Sequence, residues 1–209
     1  MNEKVGNQVA FYFMTGLSRM DIDGNYSILD PMIQKLIKTM HSRNHEIGFH
    51  PSYETYLKRD IFSAEAKLFL NTLEQIGINQ DKIGGRQHYL RWSTPKTARN
   101  WEFIGFDYDS TLGFADLIGF RCGICYEYQF YDVLKRKKLE LYIRPLVAME
   151  TTIFSPEYMN IDNLNLAYDL LDDLKSKCYM YNGDFTLLWH NFFSSNEHKY
   201  LYQNIIRPK

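Results

Sequence analysis

Asn44-His45-Glu46-Ile47-Gly48-Phe49-His50-Pro51-Ser52 lies between two stretches of helical periodicity and reads as a short strand with a histidine at either end. Side chains alternate across a strand, so Glu46, Gly48 and His50 share one face while His45, Ile47 and Phe49 share the other. His50 therefore stands at the strand's C-terminal end, and His45 reads as an anchor at its start. Upstream, Met32, Ile33, Leu36, Ile37 and Met40 recur at helical spacing behind Asp30-Pro31, an N-cap and first-turn pair. Downstream, Ala66, Phe69, Leu70, Leu73 and Ile76 repeat the stripe, and Gly77 stops it. Helix, strand and helix in succession is the grammar of an α/β fold.

The same alternation continues in both directions. Val9–Met14, Ile83–Tyr89, Phe106–Leu112, Leu139–Met149 and Phe185–His190 are short runs rich in aromatic and branched residues and read as further strands. Leu164 to Leu174 makes a third helical stripe. Crossover helices between strands call for a parallel sheet, either open and doubly wound or closed into a barrel. The chemically capable residues gather late in these strands: His50, then Arg86 and His88, Asp109, and finally His190. Parallel α/β folds build their active sites at that edge. No Gly-x-Gly-x-x-Gly follows a strand and no Walker-type loop is present, which disfavours a nucleotide-binding sheet.

At 209 residues the chain is expected to form a single domain, residues 1–209. Its 24 basic and 25 acidic residues nearly cancel, and the only basic run, Lys135-Arg136-Lys137-Lys138, reads as a solvated turn, so no nucleic-acid partner is expected. Cys122, Cys125 and Cys178 are too few and too odd in number for a disulfide framework. Cys122-Gly-Ile-Cys125 has the spacing of redox and zinc motifs but no second pair, so the three read as buried structural thiols. The first apolar run, Val9 to Met14, is too short for a signal segment or a membrane span. A soluble, cytoplasmic protein is the expectation.

Taken in order, these segments resemble the polysaccharide deacetylases. His45-Glu46-Ile47-Gly48-Phe49-His50 is similar to their Gly-His-Glu-Ile-Gly-Asn-His motif, whose last histidine binds a catalytic divalent metal. Val9-Ala10-Phe11-Tyr12-Phe13-Met14-Thr15-Gly16 is similar to the family strand reading Ala-Thr-Phe-Phe-Val-x-Gly, and Arg86 stands where the arginine of Arg-x-Pro-Tyr falls. Asp109 follows where an aspartate supports the catalytic histidine, and Thr186-Leu187-Leu188-Trp189-His190-Asn191 is similar to the closing Ile-Leu-Leu-His-Asp strand, whose histidine is the general acid. The likeness spans nearly the whole chain. It is nearest to a branch reading His-Glu-Ile-Gly-x-His-Pro-Ser-Tyr, Arg-Gln-His-Tyr-Leu-Arg-Trp and Gly-Phe-Arg-Cys-Gly, seen in bacterial surface-polysaccharide gene clusters.

The resemblance implies a distorted or incomplete (β/α) barrel of about seven strands, a zinc or other divalent ion, and removal of N-acetyl groups from a carbohydrate substrate. His50 is the expected metal ligand. The family's second metal histidine, four residues on, is replaced by Glu54, and the missing nitrogen is expected from His88 in preference to that carboxylate. His190 is expected to return a proton to the leaving amine, Asp109 to orient it, and Arg86 to hold the base aspartate. Tyr53, Tyr89, Trp92 and Trp189 are candidate sugar platforms, core packing being the alternative for each. Arg121 is a candidate for an anionic sugar group or a surface pair with Asp116, and Glu150 ends a strand where a carboxylate is wanted. The family's opening Thr-Phe-Asp-Asp-Gly has no counterpart before Val9, and Asp21 and Asp23 come only after it, in a Gly- and Asn-rich loop. The expectation is a chain lacking its first β/α unit, with an unpaired sheet edge that invites self-association. Two further readings stay open: a carbohydrate-binding module with an incomplete centre, and a hydrolase of linear amides or esters on the same barrel.

Overall fold

The strand–helix alternation expected around His50 is present. In the computed structural model, which describes residues 1–209 apart from Arg19, Met20, Phe192, Ser194 and Lys209, β1 (Ala10–Phe13) is followed by α1 (Pro31–Ser42), β2 (Glu46–Phe49) and α2 (Arg59–Gln75). The α1 terminus forms as its residues dictate: the Asp30 carboxylate accepts from Met32 N at 2.7 Å, and Pro31 fills the first helical position, where no N–H is needed. Then come β3 (Gly84–Gly85), α3 (Lys96–Ile104), β4 (Tyr108–Asp109), β5 (Tyr128–Asp132) and β6 (Lys137–Ile143). They form one sheet in the order β1-β2-β3-β4-β6-β5, parallel throughout except for the β5–β6 hairpin. Gln8–Thr111 and Tyr128–Ile143 together make one compact unit.

Phe49 of β2 organises the core on the helical side of this sheet. Its ring stacks on Phe106 at 5.5 Å and meets Phe62 and Phe69 of α2 and Trp101 of α3 at 5.3 to 5.9 Å. All five aromatics are buried, and such ring pairs add about 0.5–1.5 kcal/mol each beyond the area they remove from water. On the other face the Tyr12 and Tyr108 rings lie flat on Gly48 and Gly84, where an added Cβ would come within 2.4 Å of either ring. The glycines in the motif are there to let two tyrosines approach the backbone.

The strands at the centre are shorter than their apolar runs. Beyond Gly85 the chain leaves the ladder for a 3-10 turn at His88–Leu90, with Tyr89 and Leu90 at φ 57° and 51°. Arg86 and His88 consequently do not share the face of one strand, as the run Ile83–Tyr89 predicts. The run Leu139–Met149 is interrupted at Arg144–Val147, around Pro145, and divides between two strands.

Its second half belongs to another compact unit, made of Met1–Asn7, Leu112–Glu127 and Arg144–Lys209. Here β7 (Ala148–Met149) runs directly into α4 (Glu150–Phe154), followed by α5 (Leu164–Met180), β8 (Leu187–Leu188) and α6 (Asn196–Ile205). β7 and β8 pair in parallel, Met149 opposite Leu188. The core is Ala148, Ile153, Ala167, Leu171, Leu201 and Ile205. The molecule is thus α/β with a mainly parallel six-stranded sheet and a separate two-stranded one; among the described residues neither ladder closes into a ring. No helix among the described residues is long and apolar enough to cross a membrane.

Candidate functional site

In the first unit three loops at the C-terminal edge of the sheet bring two imidazoles together. His50 follows β2, its backbone N donating to Phe13 O at 2.9 Å. Its Nδ1 lies 2.6 Å from the Arg86 carbonyl, which only accepts, so the proton sits on Nδ1 and the lone pair on Nε2. His88, from the turn after β3, places its ring 5.1 Å from that of His50, edge to face. Its Nδ1 lies 2.6 Å from Asp23 Oδ1. Each imidazole is therefore held through Nδ1 by an oxygen, the arrangement that orients metal-ligating histidines.

Asp23 is the residue the strand pattern passes over. It sits in the loop between β1 and α1, its carboxylate 2% exposed, and accepts from Tyr53 N at 3.0 Å and from the Ser18 hydroxyl as well as from His88. A loop aspartate carries no periodicity. The signal that could have found it is its place between β1 and α1, at the sheet edge where such folds put their chemistry. Beneath it Glu65 of α2 accepts from the Ser52 backbone N and hydroxyl. Burial, opposed by the Ser52 bonds and reinforced by the Asp23 charge, raises the Glu65 carboxyl above its ordinary range.

Arg86 and Asp109 are both buried, and both serve the end of β4. Arg86 donates from Nε to Ser110 O and from Nη2 to Ser110 Oγ, each at 2.8 Å, with its guanidinium 5.1 Å from the centre of the Tyr12 ring. Asp109 accepts from Thr111 N at 2.8 Å and Thr111 Oγ1 at 2.6 Å. Burial pushes its carboxyl up to about 7, although the Thr111 bonds and the Arg86 charge pull the other way.

The expected sugar platforms divide. Tyr53 and Tyr89 meet edge to face at 5.4 Å, and Tyr89, 61% exposed, also touches the His88 ring at 4.6 Å. Arg91 lies 3.8 Å from the Tyr53 ring centre and 4.0 Å from that of Tyr56, and donates to Tyr53 O. Trp92 instead packs against Phe130 of β5, its indole N–H donating to Thr94 Oγ1. Trp189 packs on Tyr202 of α6 at 5.0 Å, partly buried against the second unit's core. Both rings have packing partners within their own unit.

The Glu54 side chain is exposed and forms an ion pair with Lys58, four residues on. That pairing removes it from the role of third ligand. In the second unit His190 is 43% exposed and hydrogen bonds through Nδ1 to Glu150 Oε1. The carboxylate on His190 is therefore Glu150 rather than Asp109, because β7 ends where Glu150 opens α4, beside β8, the strand that leads to His190. Glu150 is fully buried, also accepts from Thr151 Oγ1 at 2.9 Å, and leaves Oε2 without a hydrogen bond. Arg121 donates to the Gly113 carbonyl at 2.9 Å and forms no ion pair with Asp116 among the described residues.

His50 and His88 offer a divalent ion two nitrogens, whereas catalytic zinc sites take three protein ligands. Among the described residues no group of three His, Cys, Asp or Glu is arranged to hold an ion. Asp23 Oδ1 is engaged by His88 and Tyr53. The donor set therefore fits a metal in its imidazoles and falls short in its third ligand. Comparison with protein-family models, curated proteins and solved structures returns no match.

Proposed function

We propose that this chain acts on carbohydrate as a hydrolase removing N-acetyl groups from a polysaccharide or its sugar precursor, on the incomplete barrel that its motifs imply. The observation that carries the reading is the pair His50 and His88, ring against ring, each tethered through Nδ1 to an oxygen. These two residues would hold the divalent cofactor. When bound, such an ion acidifies a water and stabilises an oxyanion. The chain's own residues do the rest. Asp23 fixes the His88 tautomer, and Tyr89 and Tyr53 offer ring faces and edges beside that imidazole for a sugar.

A second reading is favoured by one observation, the want of a third ligand among the described residues. On that reading the same aromatic edge binds N-acetylated sugar without cleaving it. The two part in one experiment: the full chain is loaded with zinc, desalted, and assayed for bound metal, for acetate released from N-acetylglucosamine oligomers, and for oligomer binding by calorimetry. Hydrolase chemistry requires about one ion per chain and acetate release abolished by chelator and by His50→Ala. Oligomer binding with neither metal nor acetate would select the binding module, and no binding at all would sink both.

A further inference from the structure

The second unit contains a pair of thiols that the sugar chemistry does not use. Cys125 lies in the segment before β5 and Cys178 in the last turn of α5; both are buried, at 5% and 1% exposure, with Val147 and Leu174 packed against them. None of the three cysteines is joined in a disulfide. Two successive backbone amides bind the pair together: Gly183 N donates to Cys178 O at 2.8 Å, and Asp184 N donates to Cys125 O at 2.6 Å. Gly183 is glycine because any Cβ there would sit 2.3 Å from Cys125 Sγ. With adjacent N–H groups gripping both cysteine carbonyls, the two backbones are close, and both thiols lie in one buried apolar cluster.

We infer that Cys125 and Cys178 are a redox-modifiable pair that closes to a disulfide when a small-molecule disulfide is supplied as oxidant. One cysteine sulfur displaces a thiol from the oxidant and forms a mixed disulfide. The other then attacks the protein-bound sulfur of that bond and expels the second thiol. Two S–H bonds are lost, the Cys125–Cys178 S–S bond forms, and the oxidant leaves as two thiols carrying both protons. The bond ties the segment Leu112–Glu127, which carries Arg121, to α5. It spans more than fifty residues of chain, so closure removes much freedom from the unfolded state.

The pair is slow by construction. Burial, and then its Cys125 neighbour, push the Cys178 thiol up to about 12, so little thiolate exists at neutral pH, and reaction waits on local opening. This partner choice differs from the one that Cys122-Gly-Ile-Cys125 spacing invites, in which Cys125 pairs with Cys122. Cys122 instead directs its thiol to the Leu112 carbonyl at 3.8 Å.

The test is incubation of the full chain with oxidised glutathione at pH 8, alkylation of remaining thiols, and non-reducing peptide mapping. The expected product joins Cys125 to Cys178 with Cys122 alkylated, and Tm rises by roughly 5–10 °C, reversibly with dithiothreitol. Cys122→Ser should give the same cross-link and the same rise. A Cys122–Cys125 product overturns the inference, as does stable glutathione adduct without a cross-link, or a cross-link that forms only in denaturant.

Discussion

His88 shows how a single hydrogen bond selects chemistry. With Asp23 on Nδ1, its lone pair is carried by Nε2, the atom a metal would take, and Asn at position 23 still offers an oxygen but no charge. Asp23→Asn is expected to weaken zinc affinity roughly 10–100-fold while leaving the fold intact, measured by competition with a chromogenic chelator. Unchanged affinity would mean that the carboxylate merely packs. Asp109 supplies a different residue-scale prediction. Its folded-state value of about 7 stands above the 3.8 it has in the open chain, so between those limits the folded chain keeps a proton that the unfolded chain has lost. Stability then falls as pH rises from about 4 to about 7, by an amount on the order of 4 kcal/mol at most. Urea midpoints should drop between pH 5 and pH 8 in the parent and stay nearly level in Asp109→Asn. His50 was legible in the sequence because strand alternation singles it out, whereas Asp23 was not, because a seventeen-residue connection leaves no period to count.

At the scale of elements, the β5–β6 hairpin depends on one carboxylate. Asp132 accepts from Leu134 N and Lys135 N at 3.1 Å, closing the turn, and meets Arg99 of α3 through two bonds at 2.6 and 2.9 Å. Arg99 first, and then the turn amides, hold its carboxyl down at about 2 despite the opposing effect of burial. The contribution is present above the ordinary carboxylate range and lost only as pH falls through about 2. Asp132→Ala should lower Tm and speed hydrogen exchange at Leu134 and Lys135; Arg99→Ala should lower Tm without the local exchange effect. The double variant should cost less than the sum, since both remove one ion pair. If the two losses simply add, the pair is not the tether. α1, α2 and α5 were readable from their stripes, but α3 was not, because three of its four buried residues are Thr97, Ala98 and Asn100, with Trp101 the only large apolar one. β3 and β8 lie inside the runs Ile83–Tyr89 and Phe185–His190 but keep two residues each, a length set by the backbone bonds of their neighbours rather than by the extent of the run.

At the scale of the whole molecule, the chain passes between its two compact units at positions where composition does not change, so sequence marks neither boundary. The sheet edge, by contrast, follows from the order of strands: β1 has β2 as its one ladder partner among the described residues. Glu46 N donates to Val9 O and His50 N to Phe13 O, which turns the odd-numbered backbone groups of β1 inward and those of Ala10 and Tyr12 outward. An outward row of N–H and C=O groups is a template for another strand, and the short edge carries no charged residue to discourage one. The parent is expected to self-associate as its concentration rises, seen as increasing mass in light scattering. Proline is tolerated where an edge N–H faces away from the ladder, so Ala10→Pro should keep the β1–β2 pairing and the Tm while holding the chain monomeric. A parent that stays monomeric across the same concentrations, or an Ala10→Pro protein that associates equally well, would place the edge outside any interface.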